Sequence, residues 1–190
     1  MTRVSSYKDR MFEEGSKHGW GIILVRWREL KHFLLTLFMT RKHLDILEVG
    51  CFKGMLVGWL HQHFPKNQYS WDYWGVDIVE PEDRRKDYPH LIMNAECLEF
   101  PANSFDAVIF IETLEHVVDY VKALQEAYRV LRPGGGIFIQ SCICYDRAAI
   151  EDPTHFHVLH PVTLARLLTH IGFRDISIEE GSNFAVWGYK

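Results

Sequence analysis

Residues 46–54 read ILEVGCFKG, and they mark the point where a strand gives way to a helix. An apolar run that contains an acid ends there, Gly50 and Gly54 follow, and a helical pattern of apolar residues begins. Glycine has no β-carbon, so the backbone can turn sharply and approach a ligand closely. The stretch therefore predicts a strand, a ligand-binding loop and a helix in succession.

The rest of the chain continues this alternation of strands and helices. Strands are predicted over residues 43–50, 73–78, 91–95, 104–112, 136–142, 174–180 and 183–190, and helices over 53–64, 117–131 and 162–171. Alternation indicates a parallel sheet covered by helices, whereas the last two strands, joined by a tight turn, must be antiparallel to each other. We expect an α/β fold with a doubly wound, mostly parallel seven-stranded sheet, helices on both faces and one antiparallel strand near the edge.

Composition indicates a soluble globular protein, since 47% of the residues are hydrophobic and 24% are charged. The net charge of -4 gives no strong nucleic-acid signal, because binding to phosphates usually needs a basic excess. The four cysteines form no CxxC pair, and the polar N-terminus is no signal peptide. A cytoplasmic protein with reduced thiols is the expectation.

Residues 1–42 are predicted to form an N-terminal helical cap on a Rossmann-like domain of residues 43–190. Apolar residues between 20 and 39 follow helical spacing, but charged residues interrupt them, so no transmembrane segment is predicted. We prefer a helix packed on the domain or over its cleft. Peripheral membrane contact through residues 20–39 and a dimer helix are the alternatives, and the oligomeric state is left open.

Polar residues at the strand ends complete a candidate nucleoside site. In a doubly wound sheet, ligands bind at the carboxyl ends of the strands, near the point where strand order reverses. Asp77 ends the second strand, where a carboxylate can accept hydrogen bonds from both ribose hydroxyls. Residues 94–96 could frame a purine edge. A dinucleotide fingerprint is excluded, because Phe52 and Met55 stand where it needs glycine.

Together these motifs resemble the class I S-adenosylmethionine-dependent methyltransferases. The similarity runs from about residue 43 to the C-terminus, and SFDAVIFIETLEHV and YRVLRPGG carry it most specifically. The resemblance implies S-adenosyl-L-methionine as the cofactor and a small-molecule or glycan acceptor. The residues it assigns to cofactor binding are Glu48, Gly50, Cys51, Phe52, Gly54, Asp77, Ile78, Asn94, Ala95, Glu96 and Glu112.

Two residues depart from the family pattern. Phe52 replaces the middle glycine of the loop, and we expect it to have a negative φ with its ring turned away from the ligand. Asn94 stands where an aspartate is frequent, and its amide oxygen can still accept a hydrogen bond from an adenine amino group.

Catalysis of methyl transfer mainly requires alignment of the reacting atoms, and a base is needed only if the acceptor loses a proton. His155 and then His116 are the candidates, His155 because it matches a segment of the family. Residues 111–114 lack the Asn/Asp-Pro-Pro-Tyr typical of nitrogen methylation, which favours an acceptor oxygen on a small molecule or glycan. A non-catalytic partner module and a protein or RNA methyltransferase are the alternatives.

No metal site is predicted. Glu112, Glu115 and His116 would converge on one edge if this stretch were helical, and some family members with this pattern bind a metal. Many others with the same short motif do not, so we expect turnover to survive chelation. Cys142 and Cys144, with His155 nearby, lack the usual zinc spacing and are expected to be core thiols.

Overall fold

The computed structural model describes residues 26–190, so the earlier part of the predicted cap, including Trp20 and Leu24, lies outside the described residues. The elements in chain order are α1 (Trp27–Thr40), β1 (His43–Val49), α2 (Met55–His63), β2 (Ser70–Asp77), β3 (His90–Ile92), β4 (Phe105–Ile111), α3 (Tyr120–Val130), β5 (Leu131–Cys142), α4 (Arg147–Glu151), α5 (Pro161–Ile171), β6 (Arg174–Glu180) and β7 (Asn183–Tyr189). A single 3-10 turn, Leu114–His116, follows β4.

The seven strands form one sheet in the order β3-β2-β1-β4-β5-β7-β6. The strands from β3 to β5 pair in parallel, whereas β7 lies antiparallel to both β5 and β6. The predicted fold, with one antiparallel strand near the edge, is confirmed. Strand order reverses between β1 and β4, so a ligand-binding crevice is expected at the carboxyl ends of these two strands.

Helix α1 covers one face of this sheet. Its residues Leu30, Phe33 and Leu34 are fully buried, and the Phe33 ring lies 5.7 Å from the ring of Phe138 on β5. For residues 27–40 this confirms a helix that faces the core. No helix within residues 26–190 is long and apolar enough to cross a membrane. The domain boundary at residue 42 and peripheral membrane contact stay predictions.

Several element boundaries differ from those the sequence indicated, and one short helix is additional. The helix predicted from residue 117 begins at Tyr120, because the Asp119 side chain accepts a hydrogen bond from the Lys122 amide and caps it there. Strand β5 begins at Leu131 rather than residue 136, since Leu131 pairs with Phe105 on β4 before a register shift, after which pairing resumes at Gly136. The short helix α4 was not predicted, and the Asp146 side chain caps it by accepting from the Ala148 amide.

A buried acid lies between the first two strands. Glu48 on β1 is 4% exposed and accepts a hydrogen bond from the Tyr73 hydroxyl on β2. Burial raises the pKa of Glu48 to about 8, with a smaller contribution from Asp77, although the Tyr73 bond opposes the rise. Glu48 is therefore mostly protonated at neutral pH in the folded protein.

This buried acid predicts a specific pH dependence of stability. The pKa of Glu48 is raised above its usual value of 4.5 on folding, so the folded state holds the proton over the intervening pH range. The stability that Glu48 contributes is present at low pH and is lost as the pH rises towards 8. As the pH rises from about 5 to about 8.5, the free energy of unfolding of Glu48→Gln should increase by about 2–4 kcal/mol relative to that of wild type.

Urea unfolding at both pH values measures this difference. Glu99→Gln is the matched control, because Glu99 is exposed. If the free energy of unfolding changed equally with pH in wild type and in Glu48→Gln, the raised pKa of Glu48 would be contradicted.

Candidate active site

The loop after β1 is held by the end of β2. The amides of Gly50 and Cys51 both donate to the Val76 carbonyl, at 2.8 and 3.1 Å, and the Phe52 amide donates to Asp77 Oδ2 at 2.8 Å. Three consecutive backbone donors are thus satisfied by one neighbouring strand end. This places the predicted ligand-binding loop directly beside the predicted ribose-binding acid.

The two glycines of the loop adopt left-handed backbone, with φ of +81° at Gly50 and +80° at Gly54. A β-carbon on Gly50 would lie 2.3 Å from Thr113 Oγ1, and one on Gly54 would lie 2.5 Å from the Tyr88 ring. The glycines are therefore required by close protein packing as well as by loop conformation. The sequence contains no motif that marks Thr113 or Tyr88 as part of this loop's surroundings.

Phe52 has a φ of +40°, so the expectation of a negative φ is wrong. Left-handed backbone costs a non-glycine residue roughly 1–2 kcal/mol. The hydrogen bond from its amide to Asp77 holds the residue in this conformation. Glu112, at the end of β4, also has a positive φ of +46°. Strained residues of this kind often cluster at functional sites.

Asp77 is positioned by backbone donors on both of its oxygens. Oδ2 accepts from the Phe52 amide, and Oδ1 accepts from the Val79 amide at 3.1 Å. Burial raises the pKa of Asp77, while these backbone bonds partly oppose the rise. Each carboxylate oxygen can accept a further hydrogen bond. The carboxylate therefore fits a pair of ribose hydroxyls, with the half-buried Ile78 beside it.

The segment after β3 forms a tight turn next to this acid. The Asn94 side-chain oxygen accepts from the Glu96 amide at 3.0 Å, and Ala95 between them is buried. Glu96 in turn accepts from the Asp119 amide at 3.1 Å, which ties the turn to the start of α3. The Asn94 oxygen thus shapes the turn itself, and its contact with adenine stays a prediction.

Glu112 leaves β4 in an orientation fixed by β5. Its amide donates to the Gln140 carbonyl at 3.0 Å, and its carboxylate accepts from the Gln140 side-chain amide at 2.8 Å. Because Glu112 has left-handed backbone and only residues 114–116 form a helical turn, the helix needed to align Glu112, Glu115 and His116 is absent. The convergence of these three side chains on one edge required a helical stretch, and this condition is not met.

The two candidate bases lie against each other, with ring centres 4.7 Å apart. His116 Nδ1 bonds the Thr154 carbonyl at 3.1 Å, and His155 Nδ1 bonds the Ala149 carbonyl at 2.8 Å. A carbonyl only accepts, so each Nδ1 carries a proton and Nε2 is the unprotonated nitrogen of the neutral ring. Burial, aided by His155, lowers the pKa of His116 to about 4. His116 is therefore neutral at physiological pH.

Exposed apolar side chains occur on the two segments that carry this histidine pair. The segments after β4 and β5 are joined where the Phe156 amide donates to the Glu115 carbonyl at 2.8 Å and the His157 ring bonds the Val118 carbonyl at 3.0 Å. The exposed apolar residues of the two segments, which we call the apolar rim, are Val118, Tyr145, Ile150, Phe156 and Val158. The rim lies at the same edge of the sheet as the loop after β1.

Comparison with known proteins agrees with this geometry. The family model described as "Methyltransferase domain" matches residues 23–178. Two similar curated proteins are named "Ubiquinone/menaquinone biosynthesis C-methyltransferase UbiE". The Desulfotalea psychrophila protein is 29% identical over 105 residues, which cover 54% of this chain and 41% of that one. The Pseudoalteromonas translucida protein is 49% identical over 47 residues, covering 25% and 19%. The chain thus spans less than half the length of these relatives.

Solved structures share the fold at low sequence identity. A SAM-dependent methyltransferase from Archaeoglobus fulgidus superposes with a TM-score of 0.67 and 19% identity, covering 86% of this chain and 94% of that one. One from Mesorhizobium loti has a TM-score of 0.63 and 16% identity, covering 82% and 96%. With the family match over most of its length, the chain belongs to the methyltransferase domain family.

Proposed function

We propose that the enzyme methylates an apolar small molecule with a ring hydroxyl, at a ring carbon next to that hydroxyl. The observation that carries this proposal is the contact between His116 and His155, on the two segments that also carry the apolar rim. An apolar rim favours a ring over a glycan, because a sugar needs many hydrogen-bonding partners at its binding site. The curated relatives named as C-methyltransferases of quinone biosynthesis support carbon as the acceptor atom.

The residues proposed to hold the cofactor lie along four neighbouring strand ends, those of β3, β2, β1 and β4. Asp77 would accept from the ribose hydroxyls, the loop of residues 50–54 would border the methionine part, and residues 94–96 would line the adenine. Glu112, at the end of β4, would face the amino-acid end of the cofactor. Bound there, S-adenosylmethionine supplies an electrophilic methyl group on a sulfonium ion. Glu48 is turned towards Tyr73, so we propose that it supports the loop from below.

His116 is proposed to hold the hydroxyl of the acceptor. The Thr154 carbonyl fixes its tautomer, so unprotonated Nε2 is the ring atom suited to accept from a hydroxyl. A hydroxyl that hydrogen-bonds to Nε2 places more electron density on the neighbouring ring carbons, which makes them nucleophilic. When such a carbon takes the methyl group, S-adenosylhomocysteine leaves and the carbon loses its own proton to solvent, which restores the ring. With a pKa of about 4, His116 is a weak base, and it acts mainly by orienting the acceptor. The ring of His155 packs against it and positions it.

Methylation of the hydroxyl oxygen itself is the second candidate. The same charge that activates the ring carbon also resides on the oxygen, so the two reactions need the same contact with His116. The absence of an Asn/Asp-Pro-Pro-Tyr segment at residues 111–114 favours oxygen or carbon over nitrogen.

A labelled-methyl assay tests the proposal and separates the two candidates. The protein is incubated with S-adenosylmethionine carrying a ¹³C-methyl group and with a panel of hydroquinones, catechols, simple sugars and oligosaccharides. A carbon-bound and an oxygen-bound methyl have distinct ¹³C chemical shifts. We expect a carbon-bound methyl on a hydroxylated ring. Transfer to sugars alone would overturn the proposed acceptor class.

The assignment of Asp77 predicts a loss of cofactor affinity. Asp77→Ala should weaken binding of S-adenosylhomocysteine by about 1–3 kcal/mol, because buried hydroxyls lose a charged acceptor. Asp77→Asn keeps an oxygen for the Phe52 or Val79 amide and should lose less. Isothermal titration calorimetry measures both, with Asp83→Ala as an exposed control. Unchanged affinity in a folded Asp77→Ala protein would exclude ribose binding by this residue.

The low pKa of His116 predicts the acid limb of the pH profile. The histidine must be neutral to accept a hydrogen bond, and it becomes protonated only as the pH falls towards 4. Between about pH 5.5 and about pH 8, protonation of His116 should therefore cause no fall in kcat, in contrast to an ordinary histidine with a pKa near 6.5. His116→Ala should lower kcat by roughly tenfold, equivalent to one buried hydrogen bond.

Steady-state rates across this pH range give the profile. An acid limb centred near pH 6.5 in wild type that disappears in His116→Ala would contradict the predicted protonation state. His157→Ala is the matched control, because His157 contacts the neighbouring Val118 carbonyl from the same segment.

A further inference from the structure

Three potential metal ligands converge beneath the apolar rim. One carboxylate oxygen of Glu115, the Cys142 thiol and one ring nitrogen of His155 all lie within 4.8 Å of one another. They come from three separate segments, which are the turn after β4, the end of β5 and the loop after α4. The sequence places them far apart, so the tertiary structure alone brings them together.

Neither carboxylate oxygen of Glu115 contacts a cationic group within residues 26–190. Glu115 is fully buried, and neither of its carboxylate oxygens has a well-formed hydrogen bond within residues 26–190. Its polar neighbours are the Glu112 carboxylate and Ser141. A buried carboxyl group with so little hydrogen bonding is unfavourable. A bound cation would compensate the charge of both carboxylates.

His155 is prepared for coordination by its backbone contact. Its Nδ1 lies 2.8 Å from the Ala149 carbonyl, so Nδ1 donates and Nε2 has an available lone pair. Metal-binding histidines commonly donate their second nitrogen to a carbonyl or carboxylate in this way, which fixes the ring and its tautomer. The Cys142 sulfur lies 4.0 Å from Nδ1 of this ring, so the ring would rotate to direct Nε2 at an ion shared with Cys142.

The spacing is compatible with a tetrahedral ion. Zinc bonds of about 2.0–2.3 Å place neighbouring ligand atoms about 3.4–3.8 Å apart. The separations of up to 4.8 Å would therefore close by roughly 1 Å, which small side-chain rotations supply. Thiolate and imidazole ligands favour zinc-like ions, whereas magnesium prefers oxygen ligands. Three protein ligands would leave one position open.

We propose that Glu115, Cys142 and His155 bind a zinc-type divalent ion. This set differs from the Glu112, Glu115 and His116 pattern in the sequence, because Glu112 is bonded to Gln140 and His116 to Thr154. It also uses Cys142 without Cys144. The ion would join the loop after α4 to the ends of β4 and β5, and this binding does not depend on the acceptor proposed above.

Metal binding by the full chain tests the proposal without an activity assay. The protein is treated with EDTA, exchanged into chelator-free buffer and titrated with zinc in a calorimeter. We expect one ion per chain and a higher melting temperature after loading. Loading with cobalt(II) should add a sulfur-to-cobalt charge-transfer band in the near ultraviolet, because the thiolate binds the metal directly.

Matched variants identify the ligands. Cys142→Ser should remove the charge-transfer band, and Glu115→Gln should weaken zinc binding. Cys144→Ser should retain both properties, because Cys144 is a neighbouring thiol outside the cluster. Glu112→Gln should also keep the band, which separates this site from the sequence pattern.

The cobalt spectrum still tests whether the Cys142 thiolate binds the metal if Cys142→Ser does not fold. A Cys97→Ser/Cys144→Ser double variant leaves only Cys51 and Cys142, and it should show the full band. Less than about one-tenth of an equivalent of bound zinc in wild type, judged against the nanomolar or tighter affinity usual for such sites, would overturn the proposal. So would cobalt binding without a thiolate band.

Discussion

The architecture of the site depends on one contact, in which the end of β2 accepts hydrogen bonds from the loop after β1. The Val76 carbonyl and the Asp77 carboxylate together bind the amides of residues 50–52. This contact sets the direction in which α2 leaves the sheet, holds Phe52 in left-handed backbone and orients Asp77. Because the loop packs closely on Thr113 and Tyr88, its conformation is also coupled to the segments after β4 and before β3.

Buried carboxyl groups give this edge of the sheet its electrostatic character. Glu48, Asp77 and Glu115 all have raised pKa values, chiefly because burial disfavours their charged forms. A cation beside such acids favours their charged forms. The sulfonium of the proposed cofactor carries a positive charge, and a divalent ion at Glu115 would supply another. The proposed methyl transfer and the proposed metal binding therefore draw on the same property of the strand ends.

Much of the fold could be predicted because its signals are local. The fully apolar β4 and the alternation of strands and helices indicate a parallel sheet, and the hairpin at residues 181–183 indicates the antiparallel strand. The errors arose where tertiary pairing or side-chain capping overrode local pattern. The stretch before residue 136 reads as a helix end, yet Leu131 already pairs with Phe105. The Asp119 cap likewise delays α3 until Tyr120.

By itself, the sequence determined the fold class, the loop of residues 50–54 and the association of this loop with Asp77. Each of these depends on residue types at short spacings. It also identified His116 and His155 as candidates. Only the tertiary structure decided that their rings touch, that Phe52 adopts a positive φ, and that Glu115 lies with Cys142 and His155. These features arise from contacts between distant segments, whose geometry depends on how the whole sheet brings its strand ends together.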